Sequence, residues 1–300
     1  MRTERNQDYY KESEAVKHRS DIITKIITVL LIVIMLFSAY KLYEGFSAYW
    51  KDYNNSILVN MEAGRDDKTV NWKALKEKNK DVVGWLYCPE TVLDYPVVHG
   101  TDNDKYLHTS FDGAWSAAGT LFADASNNLP FIEPNTVIYG HHMNDGSMFH
   151  DLDNWWDEEY LNEHDTLYIY TPAKNYHMDV ISCGITAADD EAIYGVPFTD
   201  KEDVETFINR ALEIAMAKNK NFDISTVDYE NDRFVTLSTC AYTFKNARTV
   251  LIGKITQDNR NIDDIEARKA AAPSKFKVFV RMIKDIVTEG YRDFKNQIFG

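Results

Sequence analysis

Seven short apolar runs constrain this chain more than any other feature. Between Val82 and Ile255 it reads VVGWLYC, YPVV, NTVIYG, TLYIYT, HMDVISCGIT, RFVTLSTC and RTVLIGKI, with Gly, Pro, Asn and Asp gathered between the runs. Runs of this length, bounded by turn formers, predict strands and a mainly β domain, an antiparallel barrel or sandwich. In RFVTLSTC, Phe234, Thr236 and Ser238 alternate with Val235, Leu237 and Thr239, the period of a strand. One segment breaks the pattern. From Thr199 to Lys218, Val204, Phe207, Ile208, Ala211, Leu212 and Ala215 follow a 3.6 period, and Thr199 with Glu202 makes a capping-box start. A helix is therefore expected before the cysteine strand.

Composition narrows the function classes. With 44% hydrophobic and 27% charged residues the chain can bury a real core, which excludes global disorder. A net charge of -14 argues against a nucleic-acid partner, because phosphate binding needs a basic face. Three cysteines (Cys88, Cys183, Cys240) are too few and too scattered for a disulfide scaffold. No CxxC pair or Cys/His ladder points to structural zinc, and no metal or other cofactor is expected.

The N-terminal region has a different logic. IITKIITVLLIVIMLFSAY, Ile22 to Tyr40, has about the ~20 residues that a membrane helix needs, and Lys25 is its one charge. Arg2, Arg5, Lys11, Lys17 and Arg19 precede it, whereas Lys41 and Lys51 follow. The positive-inside rule then places the N-terminus in the cytoplasm and the bulk of the chain outside the cell. A cleaved signal peptide fits less well, since the basic leader is long and no A-x-A-like site follows. The expected organisation is a leader over 1–21, a transmembrane anchor over 22–40, a stalk over 41–69 and a catalytic domain over 70–258. A linker and C-terminal amphipathic helix complete it over 259–300. Val70, Trp72 and Leu75 have helical spacing at the start of the main domain. Phe276, Phe279, Val280, Ile283, Ile286, Val287 and Phe294 form the apolar stripe of the last helix, read as docked on the barrel rather than lying on a membrane.

Candidate chemistry gathers around Cys240. It ends a strand and is followed by AYTFKNA, a connection short enough for a hairpin that brings Arg248 back beside it. In NTVIYGHHMNDGSMF a strand ending at Gly140 delivers His141 into a loop. A thiol with a reference pKa near ~8.5 is mostly protonated at neutral pH, and a nearby cation raises its thiolate fraction. A histidine can protonate a leaving amine, and an arginine can hold an oxyanion. Together they can perform acyl transfer through a thioester. Each residue also has a plain structural reading. Cys88 and Cys183 are expected to be small buried hydrophobes. His141, His142 and His150 lack the Cys or carboxylate spacing that would complete a metal site. A membrane-anchored binding or scaffold protein with an incidental thiol is the rival class.

TLSTC, with Arg248 eight positions on, resembles the signature of sortases, the cysteine transpeptidases of Gram-positive surfaces. YPVV, DNDKYLHTSF and YGHHMNDGSMF are similar to the class B branch, and the helix before the cysteine strand fits it too. The resemblance runs from about Val70 to Ile255. It implies a closed eight-stranded β-barrel with N-terminal helices. It implies Cys240 as nucleophile on a Thr carbonyl of a sorting-motif peptide, His141 as general acid/base, and Arg248 as oxyanion and backbone ligand. Ser238, Asn103 and Leu107 fall where class B enzymes contact the peptide. An amine of a peptidoglycan precursor or cross-bridge would resolve the thioester. Where class B relatives often carry an acidic residue after the cysteine, this chain has Ala241, Tyr242 and Thr243. Papain-like enzymes place the cysteine before the histidine, and L,D-transpeptidases expect a Gly beside it. Neither pattern occurs here.

Overall fold

The computed structural model describes residues 22–41, 43, 70–128, 130–195, 198 and 200–257. The leader, nearly all of the stalk, and the C-terminal linker and helix expected from 259 onward lie outside the described residues. The chain divides into two compact units, Met1–Asn54 and Asn55–Gly300. In the first, helix α1 (Ile22–Lys41) has 20 residues, with a mean hydropathy of 2.6 over an 18-residue stretch in which every residue is exposed. Its rise of about 1.5 Å per residue gives about 30 Å, the thickness of a bilayer's hydrocarbon core.

Among the described residues the second unit holds nine strands. They are β1 (Val82–Tyr87), β2 (Asp94–His99), β3 (Leu121–Ala123), β4 (Asn135–Tyr139), β5 (Thr166–Tyr170), β6 (Asn175–Ala187), β7 (Ala215–Lys218), β8 (Arg233–Cys240) and β9 (Ala247–Gln257). Pairing runs β5-β1-β2-β3-β4-β8-β9-β6, and β6 pairs back onto β5, so eight strands close a barrel. The ninth, β7, joins the far half of β6. Asn175–Asp179 of β6 pair with β5, whereas Ser182–Gly184 pair with β7. The barrel is mainly antiparallel but not wholly so, since β2–β3 and β4–β8 are parallel. Hydrophobic patterning reports which residues form strands, not which way neighbours run.

Its helices among the described residues are α2 (Trp72–Lys78), α3 (Glu158–Glu163), α4 (Glu191–Tyr194) and α5 (Lys201–Glu213). Helix α5 is the one expected before the cysteine strand, with two differences. Its N-cap is Asp200, whose carboxylate accepts from the Asp203 amide, and Thr199 lies outside the described residues. It also ends at Glu213, and Ala215–Lys218 leave the helical path to become β7. Gly184 makes that exit possible, because a Cβ there would stand 2.3 Å from the Ile214 carbonyl oxygen.

One apolar cluster takes residues from all eight barrel strands, among them Leu86, Val97, Leu121, Ile138, Ile169, Met178, Leu237 and Leu251, and so fills the interior. Outside, Leu75 of α2 packs on Val82, Trp85 and Tyr168. Val204, Phe207, Ile208 and Ala211 of α5 cover Phe234, Val250 and Ile252. Strand β8 therefore alternates between two buried faces, and Phe234 to Thr239 are all buried. At about 1.5–3 kcal/mol for each large apolar side chain buried, this central strand is among the best-anchored parts of the fold.

Candidate active site

Strand β8 lies between β4, parallel to it, and β9, antiparallel to it. That arrangement brings one end of three strands together. The parallel register matches Tyr139 with Ser238, and the Gly140 amide donates to the Ser238 carbonyl at 3.2 Å. Two residues further along each strand stand His141 and Cys240. On the other flank Cys240 pairs directly with Arg248. Directly opposed residues of an antiparallel pair project to the same face, so thiol and guanidinium share a side. The hairpin turn closes through the Ala241 amide, which donates to the Ala247 carbonyl at 3.0 Å, and through Asn246 at φ 62°. Cys240 is a free, half-buried thiol.

His141 is held from the side opposite the strands. Its Nε2 lies 2.8 Å from the Leu107 carbonyl oxygen, in the 3-10 turn Lys105–Leu107, and its ring stacks on His108 at 5.6 Å. The loop's departure is fixed by Gly140, where a Cβ would stand 2.4 Å from Leu121 Cδ2 and 2.7 Å from Phe149 Cδ2. His142 turns the other way, with Nε2 2.9 Å from Asp153 Oδ2. Adjacent histidines thus serve different surroundings.

The three residues expected to touch peptide are differently placed. Leu107 meets His141 through its backbone. Ser238 is buried and shares a 2.8 Å hydrogen bond with the Tyr194 hydroxyl. Asn103 is exposed, and its amide donates to Asp124 at 3.0 Å while accepting from the Ala125 amide at 2.8 Å. Asp124 also accepts from the Tyr139 hydroxyl at 2.8 Å, and the Tyr139 ring stacks on Tyr194 at 6.3 Å. A chain of contacts therefore runs from Asn103 to Ser238, two residues short of Cys240.

Tyr194, Tyr139, Asp153 and Tyr242 were not legible as site residues in the sequence. Tyr194 sits in EAIYG, which has no strand or long-helix period. Burial pushes its hydroxyl up to about 12, with the Ser238 hydrogen bond and the Arg248 charge opposing. Burial and the Asp124 charge raise Tyr139 as well. Both phenols stay protonated at neutral pH and remain donors. Cys88 and Cys183 are buried as expected, and desolvation holds both thiols well above the ordinary range. Cys88 lies just past β1 rather than within a strand, with its amide donating to the Leu93 carbonyl. Among the described residues no group of three His, Cys, Asp or Glu side chains could hold a metal ion.

A thiol flanked by an imidazole-bearing loop and a guanidinium suits acyl transfer, and comparison with known proteins identifies the class that uses it. The sortase domain family model matches residues 86–256, more than half of the chain. The sortase B of Listeria monocytogenes is 32% identical over 244 residues, covering 77% of this chain and 96% of the relative. The crystal structure of Clostridium perfringens sortase B is 34% identical with a TM-score of 0.57, covering 62% of this chain and all of that one. A Staphylococcus aureus sortase B–substrate complex is 26% identical with a TM-score of 0.58, covering 71% of this chain and 96% of that one. The chain belongs to the sortase family. Within it the relatives place it in the class B branch, and it is a cysteine transpeptidase, which sets aside the scaffold reading.

Proposed function

We propose that this transpeptidase is anchored by α1 with its barrel outside the cell, cleaves a sorting-motif peptide at a Thr carbonyl, and passes the acyl group to a cell-wall amine. The observation that carries the proposal is the register that sets Cys240 opposite Arg248 on one flank, with His141 following the parallel strand on the other.

The thiolate of Cys240 attacks the threonine carbonyl carbon, and the carbonyl π electrons move onto oxygen. Arg248 donates to that oxyanion. As the intermediate collapses, the C–N bond breaks and the leaving nitrogen takes a proton from the His141 imidazolium. A thioester remains. An incoming amine then attacks it, His141 accepts the amine's proton, and the Cys240 thiolate departs. A Leu107 carbonyl can only accept, so the proton on Nε2 is committed to it and Nδ1 is the nitrogen that shuttles. Ser238, Asn103 and Leu107 would border the bound peptide. The S. aureus relative solved with substrate supports a peptide partner, and a sortase B solved with triglycine, 26% identical to this chain, supports an amine acceptor. The basic leader before α1 and its apolar length support an N-terminus in the cytoplasm.

The test is to incubate the full-length protein in detergent with a library of pentapeptides containing threonine, and with triglycine. Ligated product, with the threonine acyl group joined to triglycine, is the expected mass. Protease added to intact protoplasts should digest the barrel, whereas protection of the barrel would reverse the topology.

A further inference from the structure

Each of the three proposed reactive residues has a neighbour engaged in a single cluster on the reverse side of the strands. His142, next to His141, directs Nε2 to Asp153 Oδ2 at 2.9 Å. Thr249, next to Arg248, donates its hydroxyl to Asp153 Oδ1 at 3.0 Å. Tyr242, two residues past Cys240, meets the His142 ring edge-on, with centroids 5.4 Å apart and planes at 87°. Both oxygens of one carboxylate are thereby used, one on each flank of β8. A carboxylate only accepts, so His142 carries its proton on Nε2.

The cluster is firmly held. The His142 side chain is 7% exposed and that of Asp153 30%. Asp153 lies in the 3-10 segment His150–Trp156, whose Leu152 and Trp155 are fully buried in the barrel's apolar interior. The stretch between Cys240 and Arg248 reads AYTFKNA and carries no acidic residue of its own. The register explains why a clamp at this place matters. Arg248 and Cys240 face outward on the β8–β9 pair, so Thr249 faces inward opposite Thr239, where it can be gripped without obstructing the reactive face.

We infer that Asp153 is a positioning residue for the transpeptidation, a carboxylate clamp joining the His141 loop to the Arg248 strand and fixing the distance between them across Cys240. This rests on the proposed roles of those three residues. Its effect is on the reacting geometry and not on peptide affinity, so it acts on kcat. A misplacement of about 1 Å can cost roughly a hundredfold in rate.

The test uses the full-length protein in detergent and a fluorogenic threonine-containing pentapeptide, the library member that wild type cleaves fastest. Asp153→Ala should lower kcat by about tenfold to a hundredfold with KM within about threefold. Asp153→Asn, which keeps the shape and one accepting oxygen, should recover most of that loss. Thr249→Val should lose about threefold alone and nothing further when added to Asp153→Ala, because the pair acts as one unit. Wild-type kcat in Asp153→Ala, a rise in KM alone, or losses that multiply in the double variant would each overturn the clamp. If Asp153→Ala does not fold, the cycle is run with His142→Ala and Thr249→Val, each of which frees one side of the clamp, and multiplying losses there overturn it equally. Cleavage by Cys240→Ala in parallel would instead show that the underlying assignment of the site had failed.

Discussion

His141 Nε2 lies 2.8 Å from the carbonyl oxygen of Leu107, and that contact decides how the imidazole can act. The carbonyl can only accept and so takes the Nε2 proton, which leaves Nδ1 for the acid/base role proposed for His141. His142, one residue on, faces Asp153 instead. His141→Ala should therefore lose about 10²–10⁴ in the rate of acyl-enzyme formation, the usual contribution of general acid–base catalysis. His142→Ala should lose far less, about tenfold, through positioning alone. Stopped-flow cleavage of the pentapeptide by both variants checks this, and equal losses would mean the acid/base is misassigned.

Gly140 sets where the His141 loop leaves the barrel. An added Cβ would overlap Leu121 and Phe149, both in the apolar interior. Gly140→Ala should cost about 1–3 kcal/mol of stability, as overpacking of a filled core does. Its activity should fall further than the unfolded fraction explains, because the loop must shift. Thermal unfolding measured beside turnover separates the two effects. An unchanged Tm would show that the neighbours yield.

Arg248 offers directed donors from a planar guanidinium, whereas lysine offers a mobile point charge. Loss of one oxyanion donor typically costs about 2.7–4 kcal/mol, or roughly a hundredfold to a thousandfold. Arg248→Lys should fall substantially in turnover while keeping the fold, and Arg248→Ala should fall further. Full acylation by the lysine variant would reduce Arg248 to a field acting on the thiolate. Unfolding of both variants would make it structural.

The three thiols should separate by chemistry. Iodoacetamide should label Cys240 in the native protein and reach Cys88 and Cys183 only in denaturant, as seen by peptide mass mapping. Cys88→Ala and Cys183→Ala should keep most activity. Both buried thiols have raised pKa values, so the unfolded state loses their protons first as pH rises. Their contribution to stability is complete below about pH 8.5 and declines above it, by up to about 1.4 kcal/mol per pH unit for each thiol. Either alanine variant should flatten the fall of Tm between pH 8 and 10. An unflattened curve would assign the fall to other groups.

Much of this architecture was written in the sequence, and the exceptions have physical causes. RFVTLSTC coincides with β8 from Arg233 to Cys240, because a central strand needs a continuous apolar and β-branched run. The short strand β3 is only Leu121–Ala123, too brief to show a period. Ala215 continued the helical spacing of α5, yet the close approach to Gly184 drew it into β7. Pairing of Cys240 with Arg248 followed from the short connection between them. Tyr194 reaches Ser238 across 44 residues of chain, and Asp153 reaches Thr249 across 96, contacts that only tertiary structure creates.

The most direct test of the account is capture of the acyl-enzyme. Full-length protein in detergent, mixed with the cleaved pentapeptide and quenched in acid before amine is added, is analysed by intact and peptide mass spectrometry. The account predicts a mass increase equal to the acyl fragment ending in threonine, located on the peptide containing Cys240. It should disappear on addition of triglycine and be absent from Cys240→Ala. Cleavage without any adduct on that peptide, or undiminished cleavage by Cys240→Ala, would contradict it.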